Sequence, residues 1–196
     1  MSEDDRVAWE RRYAEGEYRA RTWPSPFLDA WIDRLPRGKA LDLACGAGRN
    51  ALRLAEAGFQ VEAVDISTSA IEMATVEAHT RGVDVAWRAA DLDDIELTPA
   101  GYQVITMIRY MNRRLWPLLP SALAPGGWLL IEHHLQTTAN VDGPPSEDFR
   151  LAPQELLEAL GPLRIIFYEE VLEESDRDRS TYALARLVAC KDSPGW

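Results

Sequence analysis

Three carboxylates lie within or directly after the first three strand-like apolar runs of the chain. Asp42 lies in the run ALDLA, Asp65 ends the run VEAVD, and Asp91 follows the run AWRAA. Gly46 and Gly48 come soon after the first run. A glycine-rich turn between a strand and a helix presents backbone amides to a nucleotide-like ligand. Acids at the carboxyl ends of neighbouring parallel strands would face that ligand.

The charge near the glycine turn distinguishes between two kinds of ligand. Gly46 to Ala51 fit the pattern G-x-G-x-x-[G/A], and Asp65 follows nineteen residues after Gly46, as in a dinucleotide site. A pyrophosphate over this turn would be repelled by Asp42. S-adenosylmethionine has no phosphate and carries a cationic ammonium and a cationic sulfonium, so Asp42 favours it. A tight turn without a ligand, with Asp42 stabilising loop amides, is the alternative.

The other two acids match further groups of S-adenosylmethionine. A carboxylate at Asp65 can accept both ribose hydroxyls, or it can cap the helix that follows. Asp91 can accept from the adenine amine and the Leu92 amide can donate to a ring nitrogen, although the acidic run DLDDIE also suits a solvated face. The remaining predicted cofactor-binding residues lie beside these positions: Ala44, Ala47, Arg49, Asn50, Ile66, Ser67 and Ile108.

Strands and helices alternate along the chain. Apolar periodicity predicts strands at 40–44, 60–64, 83–88, 104–108 and 128–132, and helices at 26–35, 47–57, 67–80, 114–123 and 153–160, with residues 7–20 helical in part. A loop at 136–150 precedes a closing antiparallel pair at 163–170 and 181–189, joined by the acidic loop 173–179. The pattern predicts an α/β, three-layer, doubly wound (Rossmann-like) fold.

Composition limits the partners and the compartment. The chain has 196 residues and a net charge of −11, which repels nucleic acid and anionic membrane surfaces. No apolar run is long enough to span a bilayer, so we expect no membrane partner and a cytoplasmic protein. Cys45 and Cys190 fit a reducing compartment, and Cys45 suits small buried filler.

The acceptor is expected where strands four and five end. Tyr110, Arg113 and His133 are the candidate catalytic residues there. Arginines bind anions bidentately, although pairing with the many acids is the alternative. Because neighbouring strand residues point to opposite faces, at most one of His133 and His134 should face the pocket. The same alternation argues against a metal site in Glu132-His133-His134.

The motifs DLACGAG, VDIS, AADL and APGGWLLIE, taken in order, resemble those of class I S-adenosylmethionine-dependent methyltransferases. The resemblance covers about residues 8–190 and is nearest to small tellurite-resistance-like methyltransferases, which open on a WxxRY-like motif. It implies a seven-stranded sheet of order 3-2-1-4-5-7-6 with strand 7 antiparallel. It also implies an N-terminal helical cap, residues 1–38, over the cofactor, a methyltransferase domain at 39–190 and a tail at 191–196. Tyr13 and Trp23 are then lid residues, or alternatively packing aromatics.

The sequence departs from the family pattern at two places, of which only the second bears on the acceptor, since the acid missing at position 103 is not needed for methyl transfer. Gln103 stands where many relatives have an aspartate, and no Asn-Pro-Pro-aromatic motif follows strand four, which argues against nucleic-acid bases as acceptors. The resemblance implies methyl transfer from S-adenosylmethionine, with S-adenosylhomocysteine as product, to a small, anionic or soft, tellurite- or thiol-like acceptor. We expect a monomer or homodimer. The alternatives are an NAD(P)-binding oxidoreductase and a non-catalytic S-adenosylmethionine-binding protein.

Overall fold

A computed structural model describes residues 3–16, 22–175 and 179–193. The helices are α1 (Glu3–Ala14), α2 (Pro26–Trp31), α3 (Arg49–Glu56), α4 (Thr68–Arg81), α5 (Leu119–Ala122) and α6 (Glu155–Ala159). The strands are β1 (Lys39–Leu43), β2 (Gln60–Asp65), β3 (Val85–Ala89), β4 (Tyr102–Ile108), β5 (Leu123–His134), β6 (Arg164–Glu174) and β7 (Thr181–Cys190). Residues 17–20 of the predicted N-terminal helix, 176–178 of the acidic loop and 194–196 of the tail lie outside the described residues.

The strands form one sheet of order β3-β2-β1-β4-β5-β7-β6. β1 to β5 run parallel, and β7 pairs antiparallel with both β5 and β6. The predicted fold class and strand order are confirmed. The order reverses between β1 and β4, and this switch point is where ligands of doubly wound sheets bind.

Both faces of the sheet are buried. Leu41 of β1 and Ile105 of β4 pack on one face, toward α5 and α6. Ala40 and Val104, their neighbours in sequence, pack on the other face, toward α2 and α3. Because successive strand residues alternate between faces, a sheet covered on both sides needs continuous apolar strands, as the sequence has.

The region between β4 and β5 differs from the prediction. A helix was expected over 114–123, but a 3₁₀ turn at Trp116–Leu118 leads into the four-residue α5, and β5 begins at Leu123. Pro117 and Pro120 donate no backbone hydrogen bond, which limits helix growth here. Leu123 pairs with Tyr102, and the register then shifts before Val104 pairs with Trp128.

The N-terminal helix α1 lies against α4. The division into a cap at 1–38, a domain at 39–190 and a tail at 191–196 stays a prediction. In the described parts of the chain, no helix combines the length and the hydrophobicity needed to cross a membrane. The same parts contain no group of three His, Cys, Asp or Glu side chains arranged to hold a metal ion.

Candidate cofactor and acceptor site

The turn after β1 depends on glycine at position 48. Gly48 has φ +83°, and a Cβ there would lie 2.6 Å from the Trp87 ring and 2.9 Å from the Ala74 Cβ. The turn also places Ala44 at φ +57°, an uncommon conformation for a residue with a side chain. The sequence predicts the glycine turn, but the approach of Trp87 from β3 depends on tertiary packing.

The helix α1 lies directly over this turn. A Cβ on Gly46 would be 2.3 Å from the Tyr13 Oη. The carboxylate of Glu10 holds the helix in place, since it accepts from the Ser67 Oγ at 2.7 Å and from the Ser69 Oγ at 2.6 Å. Burial alone would raise the pKa of Glu10, but these hydrogen bonds lower it below its usual value. The structure therefore brings the predicted residue Tyr13 to the glycine turn through Glu10, which the sequence did not identify.

Asp65 joins the two turns that follow β1 and β2. Its Oδ2 accepts from the Gly46 N–H at 2.7 Å and its Oδ1 accepts from the Ser67 N–H at 3.0 Å. Burial raises its pKa despite these hydrogen bonds. The helix cap itself is Ser67, whose Oγ accepts from the Ala70 N–H. Each Asp65 oxygen retains a second lone pair, so the carboxylate can still accept hydroxyls.

Asp42 is buried beneath the glycine turn, with 1% of its surface exposed. Its Oδ1 accepts from the Thr106 Oγ1 at 2.7 Å. Its Oδ2 makes no hydrogen bond of normal geometry to any residue described, although the nearby Ala51 N–H at the start of α3 helps to lower the pKa of this carboxyl. Burial raises the pKa of Asp42 to about 7, although the Thr106 hydroxyl and the charge of Arg49 oppose this rise. A buried carboxylate with an unsatisfied oxygen fits a cationic group above it.

The third acid lies at the end of β3. The Asp91 Oδ1 accepts from the Asp93 N–H at 2.9 Å, so this side chain stabilises its own turn, and Leu92 is buried in the core. Tyr110, two residues after the end of β4, lies in the same region, since the carboxylates of Asp93, Asp91 and Asp65 all act on it electrostatically. Burial, more than any neighbour, raises the pKa of Tyr110 to about 12, so its hydroxyl stays protonated at neutral pH.

The other predicted cofactor-binding residues have varied surroundings. The Asn50 Oδ1 accepts from the Ser25 N–H at 2.9 Å and thereby fixes the entry to α2. An open cleft of about 470 Å³ beside the glycine turn is lined by Tyr13, Ala47 and Arg49, among others. Ile108 is buried at the end of β4, whereas Trp23 and Ile66 are half-buried.

On the acceptor side, Arg113 and His133 bind the loop that follows β5. Arg113 is paired with Glu155 and donates to the carbonyls of Asp148 and Arg150. The His133 Nε2 lies 2.9 Å from the Phe149 carbonyl, so Nε2 carries the proton. Burial lowers the pKa of His133 to about 4. The catalytic roles predicted for Tyr110, Arg113 and His133 remain predictions.

The loop 136–150 folds back onto the end of β5. Arg150 is buried and donates to the carbonyls of Leu135, Asp142 and Pro144. A Cβ on Gly143 would lie 2.5 Å from the His134 Nδ1, so the loop packs closely on this ring. The rings of His133 and His134 are in edge contact, with centroids 5.6 Å apart. The loop therefore encloses both histidines.

Glu132 lies between two arginines on the opposite face from His133. Its side chain is buried and accepts from the Arg109 Nε at 2.9 Å and from the Arg186 Nε at 2.6 Å. Burial alone would raise the pKa of Glu132, but the two guanidinium groups lower it below its usual value. This ion network was not predicted, because its members lie 23 and 54 residues apart in sequence.

Comparison with known proteins shows similarity to methyltransferases over part of the chain. Residues 40–127 match the model of a family described as methyltransferase domain. The ubiquinone biosynthesis O-methyltransferase of Burkholderia ambifaria is 32% identical over 114 residues, which cover 54% of this chain and 49% of that protein. The chain therefore spans about half the length of the curated relatives it matches.

Two solved structures share the fold. TehB from Haemophilus influenzae superposes with a TM-score of 0.74 at 22% identity, over 94% of this chain and 67% of that one. A SAM-dependent methyltransferase from Methanosarcina mazei superposes with a TM-score of 0.68 at 16% identity, over 86% of this chain and 98% of that one. Residues 40–127 thus match a methyltransferase domain, in agreement with the predicted resemblance, and the two solved structures share the predicted fold.

Proposed function

Because the chain carries a methyltransferase domain in a class I fold, we propose that it is an enzyme that moves a methyl group from S-adenosylmethionine to a small acceptor. The observation that carries the proposal is the set of carboxylates at the ends of β1, β2 and β3. Asp42 is buried with an unsatisfied oxygen, and Asp65 joins the glycine turn to the next turn. Such a site suits a cationic ligand and disfavours a pyrophosphate.

Each residue of the cofactor site has a separate proposed role. Asp65 would accept the ribose hydroxyls and Asp91 the adenine amine, while Asp42 would provide negative charge below the turn. Tyr13 would cover the site from α1. The bound cofactor supplies an activated methyl group on a sulfonium. The protein then has to orient the acceptor and exclude water, and orientation alone contributes up to about 7–11 kcal/mol in favourable cases.

The acceptor is proposed to be small and either anionic or soft. The Burkholderia relatives are named for O-methylation in ubiquinone biosynthesis, and TehB is the neighbour that covers most of this chain among those described above. The net charge of −11 disfavours nucleic acid as an acceptor. A hydroxyl would need a base, whereas a thiolate or an inorganic oxyanion would need none.

The cofactor is tested by thermal-shift titration with S-adenosylmethionine, S-adenosylhomocysteine and NAD. Ligand at about a hundred times its dissociation constant stabilises a protein by about 2.7 kcal/mol, which is roughly 5–10 °C for a domain of this size. We expect this shift with both sulfur ligands and none with NAD. A shift with NAD alone would support the oxidoreductase alternative and refute the proposal.

Catalysis is tested separately from binding. Formation of S-adenosylhomocysteine would be followed with catechol, dithiothreitol and selenite as acceptors, and with a small-molecule extract of cells. We expect turnover with at least one of these. Tight binding of S-adenosylmethionine without turnover in any of them would favour the non-catalytic binding protein.

A further inference from the structure

We propose that Arg109 binds the methyl acceptor, and that the acceptor presents an anionic oxygen to its guanidinium group. This inference rests on the proposed function and specifies the acceptor's chemistry. Arg109 directly follows Ile108, the last residue of β4. β4 pairs with β1, whose end leads into the glycine turn, so Arg109 lies next to the cofactor site at the switch point of the sheet.

The backbone at Arg109 is held in an uncommon conformation. Its φ is +62°, in the left-handed region, and its N–H donates to the Glu132 carbonyl at 2.7 Å. A residue with a side chain costs roughly 1–2 kcal/mol in this conformation. Such strain is found where the surrounding structure must direct a side chain, often at a functional site. Here the turn directs Arg109 toward β5 and β7, while Tyr110 lies near the cofactor acids.

Three neighbours fix the plane of the Arg109 guanidinium. Its Nε donates to the Glu132 Oε1 at 2.9 Å, its Nη1 lies 3.0 Å from the His134 Nε2, and it stacks on the Tyr182 ring at 4.7 Å. The same Nη1 lies 3.5 Å from the His134 Nδ1, and because a guanidinium only donates, a ring nitrogen of His134 accepts from it. The arginine is therefore pre-oriented, which reduces the entropy that binding an anion would cost.

The Nη2 edge of this guanidinium is unused by the residues that the structure describes. The Arg109 side chain is 25% exposed, and its Nη2 makes no hydrogen bond to any residue in the described ranges. The remaining N–H groups match the two oxygens of a carboxylate or another oxyanion. The nearby Arg113 and Arg150 differ, because loop carbonyls and Glu155 already occupy them.

Arg109 belongs to a network of acids and arginines around Glu132. Arg186 contacts Glu132 at 2.6 Å and is itself paired with Glu169 at 3.0 Å and with Glu173 at 2.7 Å. The three carboxylates exceed the charge of Arg186, so Arg109 supplies a second positive charge to this network through its Nε, and its Nη2 is left for another anion. The position of Arg109 at the rim, with an unused edge, is explained by an anionic ligand.

The test measures anion binding without requiring turnover. Protein saturated with S-adenosylhomocysteine would be titrated by calorimetry with acetate, benzoate, phosphate and selenite, and with benzamide as the neutral counterpart of benzoate. We would compare the wild type with Arg109→Gln and Arg109→Lys. Arg114→Gln is the matched control, because Arg114 is a surface arginine with 75% of its side chain exposed.

At least one anion should bind the wild type and the Arg114→Gln control equally, and at least tenfold more weakly to Arg109→Gln. Arg109→Lys should give an intermediate affinity, since it keeps the charge but loses the planar pair of donors. It also serves as the test variant if Arg109→Gln does not fold. Equal anion binding by wild type and Arg109 variants, no anion binding at all, or benzamide binding as tightly as benzoate would overturn the inference. Failure of the wild type to bind S-adenosylhomocysteine would instead refute the proposed function.

Discussion

Replacing Asp42 with Asn tests the electrostatics of the cofactor site. Burial raises the pKa of this carboxyl from 3.8 to about 7. One pH unit corresponds to about 1.36 kcal/mol, so ionising Asp42 in the folded, cofactor-free protein costs about 4 kcal/mol more than in the unfolded chain. The folded state therefore binds the proton more tightly. The stability that protonated Asp42 contributes to the fold is fully present below about pH 4 and is lost as the pH rises toward 7.

Asn at position 42 cannot ionise, and its side-chain oxygen can still accept from Thr106. The difference in unfolding free energy between Asp42→Asn and wild type should therefore shift by about 4 kcal/mol in favour of the variant between pH 4 and pH 8. Urea denaturation of both cofactor-free proteins at several pH values measures this shift. Asp33→Asn, which removes an exposed carboxylate, is the control and should follow the wild-type profile.

The Asp42 carboxylate should also set the affinity for S-adenosylmethionine relative to that for S-adenosylhomocysteine. S-adenosylmethionine carries one more positive charge than S-adenosylhomocysteine, so an ionised Asp42 favours the former. For the wild type, the affinity for S-adenosylmethionine relative to S-adenosylhomocysteine should fall as the pH drops, by up to about tenfold for each unit by which the pKa of Asp42 differs between the two complexes. In Asp42→Asn the ratio should stay nearly constant. If wild type and Asp42→Asn show the same pH dependence of the unfolding free energy and of the affinity ratio, the reasoning is refuted.

Three further substitutions follow from the contacts. Asp65→Ala should abolish measurable S-adenosylmethionine binding in calorimetry. It should also lower the unfolding free energy by about 1–3 kcal/mol, because it leaves buried amides unpaired. Unchanged affinity would show that Asp65 is not part of the site. Gly46→Ala should loosen α1 and speed its proteolysis, because the new Cβ would clash with the Tyr13 hydroxyl and the backbone φ at position 46 is +55°. Adding Tyr13→Ala should restore much of the lost stability. If the effects of the two substitutions are strictly additive, the two residues do not touch. Glu132→Gln should cost about 3 kcal/mol in urea unfolding at pH 7, because two guanidinium groups lose a buried charge; a change below about 0.5 kcal/mol would contradict the buried network.

The structure changes the expected effect of Asp65→Ala on the stability of the fold. The sequence alone predicted that Asp65→Ala would weaken cofactor binding and leave the fold intact. In the structure, both oxygens of this carboxylate accept backbone hydrogen bonds, one of them from the glycine turn. The same residue therefore supports the turn and faces the ligand. Separating these two effects requires a stability measurement beside the binding assay.

Local patterns were sufficient for the fold class and for the acids at the strand ends. Hydrophobic periodicity, the glycine turn and the position of Asp42, Asp65 and Asp91 after successive strands are properties of short segments, and they predicted the sheet and its ligand-binding edge. Where local signals compete, the prediction was less accurate. The region around Pro117 forms a 3₁₀ turn and a short helix, and β5 begins earlier than its apolar core suggested.

The sequence by itself determined the alternation of strands and helices, the glycine turn and the acidic character of the cofactor site, because each depends on residues close together in the chain. Only the tertiary structure decided which distant groups meet there. Glu10 reaches Ser67 across 57 residues, Thr106 reaches Asp42 across 64, and Arg186 reaches Glu132 across 54. Such contacts depend on strand order, register and helix packing, which no short stretch of sequence encodes. For the same reason, only the tertiary structure shows which N–H groups of Arg109 are paired with residues of β5.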